Sequence, residues 1–167
     1  MTKTAPRINA GHIEYAVAML LNYRVYTIVP NVSHGLYLNH ECDMLALKDR
    51  KFTEIEIKIS MQDLKADFRK KHGHKSKYIT RLIYAMPEAM IEKAKEIVPK
   101  ECGLISVRCS YHGIPVAMWV RQCRHRQNSE PIPRSIIDKF HQLGCMRIWS
   151  LKLHNNKLIE YPCPSNQ

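Results

Sequence analysis

Apolar residues recur at helical spacing over residues 11–23, where Ile13, Val17, Leu20 and Leu21 fall on one side and Glu14 stands near the start, so this stretch predicts a first helix. The period then shortens. Val25 to Val29 reads as a strand ended by Pro30, and the polar run Asn31 to Gly35 as a turn before a second extended segment from Leu36. Between Glu41 and Ser60 two alternating runs flank the charged cluster Lys48-Asp49-Arg50-Lys51, as a hairpin requires. If the hairpin is symmetric about that cluster, Leu47 faces Phe52, Leu45 faces Glu54, Asp43 faces Glu56 and Glu41 faces Lys58. Alternation then gathers Cys42, Met44, Ala46, Ile55, Ile57 and Ile59 on one apolar face that packs against helices, and leaves the other face charged.

Ser60 and Asp63 make a capping-box-like start for a helix with Leu64 and Phe68 on one side and Lys65 and Arg69 in a basic stripe, ending near Lys71 before Gly73. Tyr78 to Ala85 reads as a strand. Pro87 suits the first turn of a helix running to about Val98, where Pro99 blocks continuation. Leu104 to Cys109 and Val116 to Arg121 predict a second hairpin around Tyr111-His112-Gly113. Residues 122–133 read as a loop, and 134–153 as a last helix with Ile136, Ile137, Phe140, Leu143, Ile148 and Leu151 as its buried side. The order implies an α/β fold, a mixed sheet flanked by helices, in one domain over residues 1–167 with its core at about 11–121.

Composition narrows the partners. Hydrophobic residues are 45% of the chain and charged ones 25%, a globular balance. With 26 Lys and Arg against 15 Asp and Glu the formal charge is +11, which points to a polyanion: nucleic acid first, an anionic membrane second. No stretch resembles a secretion signal or a membrane span, so a soluble, cytoplasmic protein is expected. The six cysteines are widely spaced and form no CxxC pair, which favours buried, reduced thiols. A zinc site from Cys102, Cys109, Cys123 and His125 is the alternative, although its spacing matches no finger or ribbon.

Metal-assisted phosphodiester hydrolysis needs hard oxygen ligands and a group that orients water or stabilises phosphate charge. Three acid-x-Lys tripeptides occur. Asp49-Arg50-Lys51 falls in the predicted turn and Asp63-Leu64-Lys65 in a helix, so only Glu56-Ile57-Lys58 sets both side chains on one strand face, with Asp43 opposite. A solvent-facing hairpin with cross-strand ion pairs would show the same pattern. Immediately afterwards, KADFRKKHGHKSK carries Lys65, Arg69, Lys70, Lys71, Lys75 and Lys77 against a single acid, suited to DNA phosphates or to a solvated helix end. Arg121, Arg124, His125 and Arg126 either extend that track or form an ordinary polar loop. His72 and His74 have no partner spacing that supports a metal role. Aromatic residues are 8% of the chain, which disfavours a base-stacking platform.

Through IEYAVAMLLNYRVYTIVPNV, HECDMLAL, FTEIEIKISMQDLKADFRKKH, YITRLIYAMPEAM and VPKECGLISV, residues 12–107, the sequence resembles the PD-(D/E)XK nuclease superfamily, within it the MmcB-like DNA-repair proteins and more distantly Holliday-junction resolvases. The resemblance implies a restriction-endonuclease-like fold and a metal-dependent DNA endonuclease selective for DNA structure, linked to repair, recombination or a mobile element. It implies that Asp43, Glu56, the Ile57 backbone carbonyl and Glu14 hold Mg²⁺ or Mn²⁺, that Lys58 is the motif lysine, and that Asp43, Glu56, Lys58 and Glu14 are catalytic. Cys42 stands where the superfamily's name has proline. Expected partners are DNA, a second copy of the chain as in resolvase-like members, and repair or recombination proteins. A non-catalytic DNA-binding module with the same fold is the alternative.

Overall fold

The computed structural model describes residues 8–33, 36, 38, 40–69, 74, 76–127 and 129–155. Helix α1 (Ala10–Leu21) starts at Asn9, whose side chain accepts from the His12 N–H at 2.9 Å while His12 Nδ1 accepts from the Asn9 N–H. It ends where Asn22 turns left-handed at φ 64°. Strand β1 (Thr27–Val32) runs through Pro30 and does not stop there. It is an edge strand paired only with β2, where a missing N–H is tolerated. Of the extended segment expected from Leu36, the described residues Leu36 and Leu38 lie outside any strand and are buried in the core.

Strands β2 (Cys42–Lys48) and β3 (Lys51–Ile57) form the expected hairpin. Leu47 faces Phe52, Leu45 faces Glu54 and Met44 faces Ile55, a register that carries Asp43 to Glu56. The turn is Asp49-Arg50 alone, at φ 50° and 57°, a two-residue geometry whose twist matches that of the strands. Ile132 pins Arg50 there: its N–H donates to the Arg50 carbonyl at 3.0 Å, and its carbonyl accepts from Arg50 Nε at 3.1 Å.

Helix α2 (Met61–Asp67) is capped by Ser60, whose hydroxyl accepts from the Asp63 N–H at 3.1 Å, and it stops at Asp67, short of the expected Lys71. Then follow β4 (Ile79–Pro87), a 3-10 turn (Glu88–Met90), α3 (Ile91–Ile97), β5 (Gly103–Cys109), β6 (Pro115–Arg121) and α4 (Arg134–Asn155). The strands lie in one mixed six-stranded sheet in chain order, parallel from β3 to β5 and antiparallel elsewhere. The two parallel crossovers step the same way across the sheet, so α2 and α3 lie together on one face.

Both faces are covered. Helix α1 packs Ile13, Ala16 and Val17 against Met44, Ala46, Ile55, Ile57, Ile83 and Ile105. The opposite face holds two apolar clusters: α4 supplies Ile136 and Phe140 to Leu45, Leu47 and Phe52, and α2 and α3 supply Leu64, Ile91 and Ala94 to Leu82, Tyr84 and Leu104. The second face carries the expected charges in Glu54, Glu56 and Lys58, yet they are buried, because β3 is a central strand whose parallel pairing with β4 brings a crossover helix over that face. Two further expectations need correction. Ile59 is 54% exposed, because β3 ends two residues earlier, and Cys42, at the very start of β2, joins the α4 side. Ile148 and Leu151 are also exposed. Gly144 passes close to Val29 and Arg147 reaches the Asn31 carbonyl, and beyond that contact α4 outruns the edge strand. Among the described residues no helix is long and apolar enough to cross a membrane.

Candidate metal and nucleic-acid site

Glu56 and Lys58 sit at the end of β3 on the face opposite α1, both buried. Glu56 Oε2 accepts from Lys58 Nζ at 2.8 Å, as two residues apart on one strand allow, while its Oε1 is buried with no hydrogen-bond partner. Asp43 is half-buried and its Oδ2 accepts from the Ile57 N–H at 2.7 Å, so the side chain is pinned across the hairpin. Burial does most to raise Glu56. Lys58 opposes that, the Asp43 charge reinforces it, and the carboxyl ends near pH 7. Glu14, half-buried on α1, is raised by burial and again by Asp43. Asp43 thus acts electrostatically on both other acids of the expected set, and Lys58 touches Glu56.

A polar seam runs between the two apolar clusters of the α2–α4 face. Glu54 Oε1 is 2.7 Å from both His40 Nε2 and His74 Nδ1, and its Oε2 is buried without a hydrogen-bond partner. His74 Nε2 lies 2.8 Å from Asp67 Oδ2, which also accepts from the Tyr84 hydroxyl at 3.1 Å. Lys58 Nζ closes the network by donating to Asp67 Oδ1 at 3.1 Å. All of these residues are buried. Burial pushes Glu54 up, but the bonds from His40 and His74 outweigh it and hold the carboxyl down at about 2. His74 is pushed down by burial and up more strongly by Asp67 and Glu54, to about 9. Burial would likewise lower Lys58, yet Glu56 and Asp67 raise it above its ordinary value. Buried ions persist here because each faces an opposite charge.

Among the described residues two triads bring ligand atoms within 4.8 Å of one another: His40, Glu54 and His74, and Glu56, Asp67 and His74. Asp43 and Glu14 belong to neither, and neither do Cys102, Cys109, Cys123 and His125, the zinc alternative. A pocket of about 390 Å³ abuts the seam, lined by Asp67, His74 and Tyr84 together with Arg124, His125 and Arg126.

Read against known proteins, a family model for MmcB-like DNA repair proteins matches residues 4–155. The chain belongs to the MmcB-like family. A solved structure of a protein of unknown function from Silicibacter pomeroyi is similar in fold, with a TM-score of 0.65 at 20% identity, over 91% of this chain and 94% of that one. No curated protein matches.

In this MmcB-like chain Lys65 and Arg69 are exposed at and just after the end of α2. Lys77 is exposed too, but its ammonium pairs with Glu130 at 2.9 Å. Lys70, Lys71 and Lys75, like His72, lie outside the described residues. Arg121 turns inward: it donates to the carbonyls of Cys102, Val98 and Pro99, so it caps the end of α3 and does not extend a basic track. Arg124 and His125 are exposed, and Arg126 donates to the His74 carbonyl at 2.7 Å. Sequence reasoning missed His40, Glu54, Asp67, His74 and Tyr84. One signal was present, since Asp67 is the lone acid in a run of bases.

Proposed function

We propose that this MmcB-like protein is a divalent-metal-dependent DNA endonuclease acting in repair and selecting DNA by structure. The observation that carries the reading is the state of Glu56: one oxygen is held by Lys58, the other is buried without a hydrogen-bond partner, and the charge of Asp43 acts on the same carboxyl. Such an oxygen, flanked by further acids, fits a hard cation, which takes oxygen ligands. Asp43, Glu56, Glu14 and the Ile57 carbonyl are the residues that would hold Mg²⁺ or Mn²⁺. Bound there, the ion would polarise a phosphate and acidify a water. The chain's own contribution is positional. The Ile57 N–H fixes Asp43, Lys58 holds Glu56 and places an ammonium beside it, and exposed Lys65 and Arg69 offer charge to the DNA backbone. The order α1, β1, β2, β3, α2, β4, with acids on α1, β2 and β3, supports this reading.

A second reading, a DNA-binding member without turnover, is favoured by one observation: Lys58 is 3% exposed and bonded to both Glu56 and Asp67. Branched, nicked, single-stranded and duplex DNA incubated with the purified protein in Mg²⁺ or Mn²⁺, beside Asp43→Asn and Glu56→Gln, separates the two. Cleavage lost in both variants supports the nuclease. Equal cleavage in all three proteins refutes this site, and salt-sensitive binding without cleavage establishes the second reading.

A further inference from the structure

Glu54 lies one pleat before Glu56 on β3 and serves no part of the proposed nuclease set. We propose that His40, Glu54 and His74 form a separate, structural metal centre for a transition-metal ion of the Zn²⁺ class. Three donors from three separate stretches of chain converge within 4.8 Å: His40 ahead of β2, Glu54 in the middle of β3, and His74 after α2. Both imidazoles approach one oxygen of Glu54, and the second oxygen, wholly buried, has no hydrogen-bond partner. A buried carboxylate oxygen left in that state is costly, and a cation among the three donors removes the cost.

The donor set selects the ion. Two imidazole nitrogens and one carboxylate suit Zn²⁺, Co²⁺ or Fe²⁺, whereas Mg²⁺ prefers oxygen ligands and retains water. Cys42 Sγ, 3.7 Å from His40 Nε2, adds a soft atom at the margin of the site. The outer support is already present. When His74 Nδ1 faces the metal, Nε2–H donates to Asp67 at 2.8 Å, and Asp67 is itself held by Tyr84 and Lys58. A carboxylate behind a ligating imidazole fixes the ring and raises its basicity. The second triad, Glu56, Asp67 and His74, lacks this outer support, because its Asp67 would be a ligand and the Lys58 ammonium already occupies one oxygen of each of its carboxylates, at 2.8 and 3.1 Å. The ion would fasten the chain before β2 and the chain after α2 onto the centre of the sheet.

The untagged full chain, stripped with chelator, is titrated with Co²⁺ and then Zn²⁺. Expected are about one Co²⁺ per chain with a visible ligand-field band, displacement by Zn²⁺, and a melting temperature raised by Zn²⁺ but not by Mg²⁺. His40→Gln removes the band and the Zn²⁺-dependent rise. Asp67→Asn, in a positioning residue, weakens Zn²⁺ affinity by about 10–100-fold. No band and no Zn²⁺-dependent rise in the unmutated chain overturn the proposal, as does unchanged uptake by His40→Gln. The spectrum of the unmutated chain decides independently of whether a variant folds. Asp43→Asn is the control: it abolishes cleavage if the nuclease reading holds, and it leaves the cobalt band intact.

Discussion

His74 Nε2 stands 2.8 Å from Asp67 Oδ2, although the two residues are separated by the end of a helix and a basic run. The other ring nitrogen of His74 meets Glu54 on β3. A left-handed backbone at His74, φ 51°, is held in place by these two bonds and by Arg126 on its carbonyl. The seam is therefore a structural element as much as a site.

Replacing Lys58 by Met tests that. The substitution leaves Glu56 and Asp67 facing each other without their shared cation, and removing one partner of a buried ion pair costs about 3–5 kcal/mol. The urea midpoint of Lys58→Met should fall accordingly. An unchanged midpoint would mean that the network contributes nothing net.

Glu56→Gln behaves differently. Burial and Asp43 already push this carboxyl up to about 7, so a neutral isostere at pH 8 relieves part of the strain of ionising it. Folding stability should change by no more than about 1 kcal/mol, within the range of mild substitutions. Metal-dependent cleavage should fall by roughly 10²–10³-fold, as loss of one electrostatic contact in a reacting site does. A variant that cuts at the normal rate would remove Glu56 from the reaction.

Stability of the metal-free chain should depend on pH in a defined direction. His74 is raised from 6.5 to about 9, so its contribution is complete below pH 6.5 and is lost as pH rises through 9. Glu56, raised from 4.5 to about 7, also binds its proton more tightly when folded, which lowers stability between those values as pH rises. Glu54, lowered to about 2, acts oppositely: its contribution is present above 4.5 and lost toward 2. Thermal melts in chelator should therefore peak near about pH 5 and decline on either side. For His74→Asn the decline between 6.5 and 9 should flatten, by on the order of 3 kcal/mol. Parallel curves for the two proteins would contradict the assignment.

Exposed Lys65 and Arg69 should make backbone contacts with DNA. The double variant Lys65→Ala/Arg69→Ala should lower the slope of log affinity against log salt by about 0.9 per lost contact, equally for unrelated sequences. Lys77→Ala should matter less, since Glu130 already neutralises it. Fluorescence anisotropy at several salt concentrations measures both, and an unaltered slope would move the DNA surface elsewhere.

How far these features could be read in advance depended on whether neighbours in sequence determine them. The β2–β3 register was legible because Asp49-Arg50 is flanked by clean alternation, and a two-residue turn leaves one pairing. The burial of Glu54 and Glu56 was not. The run Glu54-Ile55-Glu56-Ile57-Lys58 has the period of a half-exposed strand, and only the distant His40, Asp67 and His74 let its charges be enclosed. Pro30 looked like a terminator because its place at the edge of the sheet is a tertiary fact. Ile148 and Leu151 keep the helical period of Ile136 and Phe140, and nothing local announces where the sheet beneath α4 stops.

The turn at Asp49-Arg50, clamped by Ile132, makes chain length between the two strands a fixed parameter. One inserted residue would slide β3 by a half-pleat and trade its acids for isoleucines beneath the seam, so this hairpin is a poor place for a tag, a linker or a circular permutation.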